Sequence, residues 1–111
     1  MPIPTETPTA SAQITREVTT WPGIEAGYGR REIGHLHGDH AAHFFFPKDV
    51  WHELHDAGRI VEHPVFPGRV GPAARRIESP ADVEDVIAML RLNYERRDAE
   101  RARRALPAER G

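Results

Sequence analysis

Four of the seven histidines fall within nine residues: His35, His37, His40 and His43, in the run Glu32-Ile33-Gly34-His35-Leu36-His37-Gly38-Asp39-His40-Ala41-Ala42-His43. A fifth, His63, stands directly before Pro64. Imidazole changes charge near neutral pH and is also the commonest metal ligand, so this cluster is the strongest pointer to chemistry in the chain. Three readings are open. Neutral imidazoles in a metal-free pocket could act as base or hydrogen-bond partner to a small acidic ligand. His35, His37 and His43 could instead hold a divalent metal, Zn²⁺ or Fe²⁺, with Asp39 or Glu32 adding oxygen ligation. The third reading is structural: polar residues on a half-exposed sheet face, with His40 at a turn tip. The metal-free pocket is favoured over the metal, because a histidine-only hairpin is not a standard metal signature.

Other candidates are weaker. His52 and His55 have helical chelating spacing, but Glu53 and Asp56 alongside mark a surface. The only serines are Ser11, near the N-terminal end, and Ser79, a helix cap, which argues against a serine nucleophile. There is no cysteine, hence no disulfide, thiolate metal site or cysteine nucleophile. HExxH, P-loop and dinucleotide fingerprints are absent.

The elements that must position the histidines follow from periodicity. In a strand, residues two apart share a face. Segments 32–37 and 41–46 read as strands, and Gly38-Asp39 between them is turn chemistry. A two-residue turn would pair His37 with His40 and send His43 to the opposite face. A three-residue loop over 38–40 pairs His37 with Ala41. His35, His37, Ala41, His43 and Phe45 then share one face, and Leu36, Phe44 and Phe46 the other. The odd loop is favoured, because it gathers the apolar residues where helices can meet them.

Elsewhere, Ile14, Val18 and Trp21 suit a short amphipathic helix ended by Pro22-Gly23. Segment 24–28 reads as a short strand and 29–31 as a turn. A helix is expected over 47–57, with Val50, Trp51 and Leu54 inward and Gly58 as its stop. Strands are expected over 59–63 and 73–78. Ser79-Pro80 starts a helix whose stripe is Val83, Val86, Ile87, Leu90 and Tyr94. The predicted order is α-β-β-β-α-β-β-α, an α+β fold with a mostly antiparallel sheet and helices packed on one face.

Composition bounds the rest. A chain of 111 residues has room for one domain, here 11–96, preceded by a disordered tail over 1–10 and followed by a charged helical extension and tail over 97–111. The formal net charge of −2 argues against nucleic-acid steering, and the Arg-rich segment 91–104 is interleaved with acids as a solvated helix would be. No apolar run reaches membrane-spanning length and no signal-peptide core is visible, so the expected location is cytoplasmic.

Three stretches carry a family resemblance. Glu32-Ile33-Gly34-His35-Leu36-His37 is similar to the Glu-Ile-small-His-apolar-His strand of the luciferase domain of bioluminescent fungi and its short bacterial relatives. His43, opening His43-Phe44-Phe45-Phe46-Pro47, resembles a histidine in that family's next strand. Gly58, followed five residues later by His63-Pro64, is similar to its Gly-x4-His-Pro turn. The resemblance covers about 21–96. The hairpin here is two residues shorter, which preserves strand parity. Arg59, Ile60 and Val61 stand where relatives carry aromatics near the His-Pro turn. The membrane-anchoring N-terminal region of the fungal enzymes has no counterpart in this sequence.

The fungal enzymes oxidise a hydroxypyrone with molecular oxygen and emit light. The resemblance implies a similar fold and a shared pocket, not a shared substrate. The expectation is an oxygenase acting on an enolic or aromatic small molecule. His35, His37, His43 and His63 are the expected catalytic residues; Glu32, Arg75 and Arg76 are the expected substrate contacts. No cofactor is expected beyond the metal left open above. A small-molecule ligand is the expected partner, with homodimerisation open and no nucleic acid or membrane. The alternative is a non-catalytic ligand- or protein-binding module of the same fold.

Overall fold

The structure is a computed structural model and describes residues 8–24 and 33–105. The described elements run α1 (Ala10–Val18), β1 (His35–His37), β2 (Ala41–Phe45), α2 (Lys48–Asp56), β3 (Val61–Glu62), β4 (Pro72–Arg76) and α3 (Pro80–Ala105). The strands form one antiparallel sheet in the order β1-β2-β4-β3. The fold class is the α+β architecture read from the sequence. The strand expected over 24–28, the turn over 29–31 and Glu32 lie, except for Ile24, outside the described residues.

Helix α1 begins at Ala10, inside the segment expected to be a tail. Thr9 caps it by accepting a hydrogen bond from the Ala12 amide at 3.1 Å. Ile14 and Val18, four apart, bury one side of it. Helix α3 starts as Ser79-Pro80 dictates, with the Ser79 hydroxyl accepting from the Asp82 amide at 3.1 Å. Its buried stripe is Val83, Val86, Met89, Leu90 and Asn93. The helix continues unbroken into the charged extension. In α2, Trp51 and Leu54 are buried, and the Trp51 indole N–H donates to the Pro72 carbonyl at 2.9 Å, tying the helix to β4.

The hairpin has the three-residue loop. His35 pairs with His43, Leu36 with Ala42 and His37 with Ala41. On β4, Ala73 and Ala74 oppose Phe44 and His43. One sheet face therefore carries Leu36, Ala42, Phe44 and Ala73. It joins Ile14, Val18, Val86, Met89 and Leu90 in a single core. The other face carries His35, His37, His43, Phe45 and Ala74.

Two polar ties fix the hairpin against the helices. The Asp39 carboxylate accepts from the Ser11 amide at 2.9 Å, so the hairpin tip caps the start of α1. The close group of ligand atoms among the described residues is His35, His37 and His43, without Asp39. The buried Asn93 amide donates from α3 to the carbonyls of Ile33 and Phe45, at 3.2 and 3.3 Å. These carbonyls flank the two histidine strands.

Candidate functional site

Four imidazoles meet on the open sheet face. His35 and His37 come from β1, His43 from the centre of β2, and His63 from the turn after β3. Alternation dictates the first three, because cross-strand partners share a face. His63 follows β3 by one residue, and Val61 of β3 is opposite Ala74. The same alternation returns His63 to the histidine face. Ring centroids lie 4.1 Å apart for His37 and His43 and 4.1 Å for His43 and His63. His35 is 5.4 Å from both His37 and His43.

Gly34 lets the strand approach this closely. It has φ +140°, and a Cβ there would stand 2.9 Å from both the His43 carbonyl oxygen and Leu90 Cδ2. The small residue of the Glu-Ile-small-His pattern is thus a packing requirement between the hairpin and α3.

The loop from His63 to Gly71 closes the site by two successive turns. The Phe66 amide donates to the His63 carbonyl at 2.9 Å, with Pro64 at the second position. The Arg69 amide then donates to the Phe66 carbonyl at 3.2 Å across Pro67-Gly68. Gly68 has φ +80°, the type II pattern. The Glu62 carboxylate accepts from the Gly68 amide at 2.9 Å and pins the second turn.

Between loop and sheet is a cavity of about 320 Å³. Its histidines are His35, His43 and His63. Phe45, Phe66 and Pro72 supply apolar wall, and Arg69 supplies a cation. The Arg69 guanidinium lies 5.9 Å from the centre of the Phe66 ring.

Burial, then the neighbouring imidazoles of His63, His37 and His35, push the His43 pKa down to about 4. His35 is also lowered, chiefly by desolvation and then by His37 and His63. At neutral pH both rings are neutral, so each has one nitrogen that donates and one that accepts. His43 Nδ1 lies 3.1 Å from His63 Nε2 and is engaged with it. One ring nitrogen from each of His35, His37 and His43 lies within 4.8 Å of the others, close enough for one ion to draw them together.

A family model described as the luciferase domain matches residues 30–93. The chain belongs to the luciferase domain family. The match spans all four described strands, α2 and the first half of α3, and so includes every histidine of the cluster and the closing loop. No curated protein and no solved structure gives a significant match.

In this luciferase domain the expected site residues separate. His35, His43 and His63 line the cavity. His37 does not, although its ring packs on His43. Glu32 lies outside the described residues. Arg75, expected to meet a substrate anion, is on the opposite, helix-covered face, because it pairs with Ala42. Its guanidinium is held by Asp82 and Asp85 of α3, the latter at 2.6 Å, and by the Arg59 carbonyl at 3.0 Å. The Glu78 amide and then Arg75 hold the Asp82 carboxyl below the usual carboxylate range. Arg76 has the histidine-face parity but is 80 % exposed, beside Glu78 and away from the cavity. The arginine that lines the cavity is Arg69. Sequence reasoning missed it together with Phe66, because a loop of prolines and glycines has no period to assign facing. Their one signal was position, directly after the His-Pro turn. His52 and His55 are exposed, flanking Trp51, as expected.

Proposed function

We propose that this domain is an oxygenase that binds a small enolic or aromatic molecule in the His35–His43–His63 cavity and promotes its reaction with molecular oxygen. The observation that carries the reading is the cavity itself. It combines neutral imidazoles, aromatic wall and a cation within a luciferase domain. Phe45 and Phe66 suit a flat ring. A neutral imidazole removes the enol proton, and the enolate passes an electron pair to oxygen as the new C–O bond forms. The distal oxygen becomes a peroxide anion, stabilised by imidazole N–H and the Arg69 guanidinium, and takes up a proton to give the hydroperoxide.

Oxygen uptake with a panel of hydroxypyrones and catechols tests this. Uptake should occur with at least one compound and fall at least 100-fold in His35→Ala. Uptake unchanged in both His35→Ala and His43→Ala refutes the assignment of these residues.

A second reading is a binding module without catalysis. Phe45, Val65, Phe66 and Val70 are exposed around the loop, as in a surface awaiting a partner. Saturable binding of a panel compound with no oxygen consumed would favour it.

A further inference from the structure

We propose that the Val65 amide, His63 and His43 form a one-way hydrogen-bond relay that fixes the tautomer of His43 and makes it a donor, so that His35 is left as the base. The roles given to His43 and His35 rest on the oxygenase reading; the tautomers do not.

A backbone N–H can only donate. The Val65 amide donates to His63 Nδ1 at 3.1 Å, so that nitrogen must present a lone pair. Neutral His63 then carries its proton on Nε2. This nitrogen lies 3.1 Å from His43 Nδ1 and donates to it. By the same logic neutral His43 carries its proton on Nε2. The direction of the whole chain is set by one amide, and that amide is placed by the His63-Pro64 turn. Glu62 and the Pro67-Gly68 turn keep the loop in position.

Two consequences follow. Both nitrogens of His63 are engaged, so it is a positioning residue with none left for substrate. His43 offers an N–H, the group an enolate or peroxide oxygen needs, and cannot serve as the base. Among the described residues no hydrogen bond to His35 fixes its proton, and His35 lines the same cavity. The relay also opposes a metal. A neutral His43 that binds an ion through Nε2 must move its proton to Nδ1, which breaks the bond to His63.

Long-range proton–nitrogen correlation spectra of the ¹⁵N-labelled full chain at neutral pH test this directly. The expected result is unprotonated Nδ1 and protonated Nε2 in both His43 and His63. A protonated Nδ1 on either ring overturns the relay. In His63→Leu, His43 should relax to a mixture of tautomers; an unchanged His43 spectrum shows that something else fixes it and also overturns the proposal. Val65→Pro removes the amide donor and also constrains the third position of the His63–Phe66 turn, and it should free both tautomers. If either variant fails to fold, the wild-type spectrum still decides. Where a panel compound supports oxygen uptake, His63→Leu should lower kcat about tenfold with little change in KM. Absence of uptake bears on the oxygenase reading alone, because the spectra report the relay without any substrate.

Discussion

The two faces of the sheet are built from the same strands and do opposite work. The helix-covered face carries Leu36, Ala42, Phe44 and Ala73, closed by α1 and α3, and Arg75 on it is neutralised by Asp82 and Asp85. The open face carries the imidazoles, with Phe45 63 % exposed beside them, and a nine-residue loop instead of a helix. Every residue that could do chemistry is one position out of step with a residue that holds the fold together. A small domain can therefore keep a polar, partly desolvated cluster without weakening its core, because strand alternation separates the two functions.

The sharpest test of that division is Phe46→Ala. Phe46 is fully buried and stacks on Phe44 with 5.2 Å between ring centres. Urea unfolding should show a loss of about 3–5 kcal/mol. A loss below about 1 kcal/mol would mean that this face is not the core.

Gly34→Ala comes next, because Gly34 is where the faces meet. The added Cβ at φ +140° must push on the His43 carbonyl and Leu90 at 2.9 Å. The expected cost is about 2–4 kcal/mol, and spectra of His35 and His43 should shift together.

The third effect is a pH dependence. The His43 pKa is lowered from 6.5 to about 4, so the unfolded chain binds the proton more readily than the folded one. Stability should decline as pH is lowered from about 6.5 toward 4 and the slope should shrink in His43→Gln. A wild-type urea midpoint that is flat across this window would show that His43 is not held neutral. Asp82 acts lower. Its depressed pKa stabilises the fold above the ordinary carboxylate range, and this contribution is lost as pH falls through the folded value.

The smallest expected effects come as a pair of substitutions. Arg75→Met should reduce stability modestly and leave ligand binding at the cavity unchanged. Arg69→Met should leave the unfolding free energy within about 0.5 kcal/mol of wild type and weaken binding of an acidic panel compound. The reverse pattern would exchange the roles assigned to the two faces.

These distinctions were legible in the sequence to different depths. The hairpin register could be read because Leu36, Phe44 and Phe46 must share a face, and only an odd loop permits it. Ser79-Pro80 and the stripe through Val83, Val86 and Leu90 located α3. The facing of Arg75 and Arg76 could not be read in the same way. It depends on how β4 aligns with β2, and no short turn links those strands. Asp39 looked like a turn residue with a spare carboxylate, but its partner, the Ser11 amide, is 28 residues away. Asn93 occupies a fully buried position of a helix stripe, where periodicity asks for an apolar residue. Its role is visible only once the carbonyls of Ile33 and Phe45 are brought to it. Arg69 and Phe66 belong to the site through loop folding alone.

The central claim is that the open face, between the histidines and the His63–Gly71 loop, is a ligand site. Backbone amide shifts during titration with the hydroxypyrone and catechol panel test it most directly. At least one compound should perturb Gly34, His35, His43, Phe66 and Arg69 in a saturable way and leave α1 and the Arg75–Asp82–Asp85 cluster unmoved. Perturbation centred on the helix-covered face, or none with any compound, would contradict the claim.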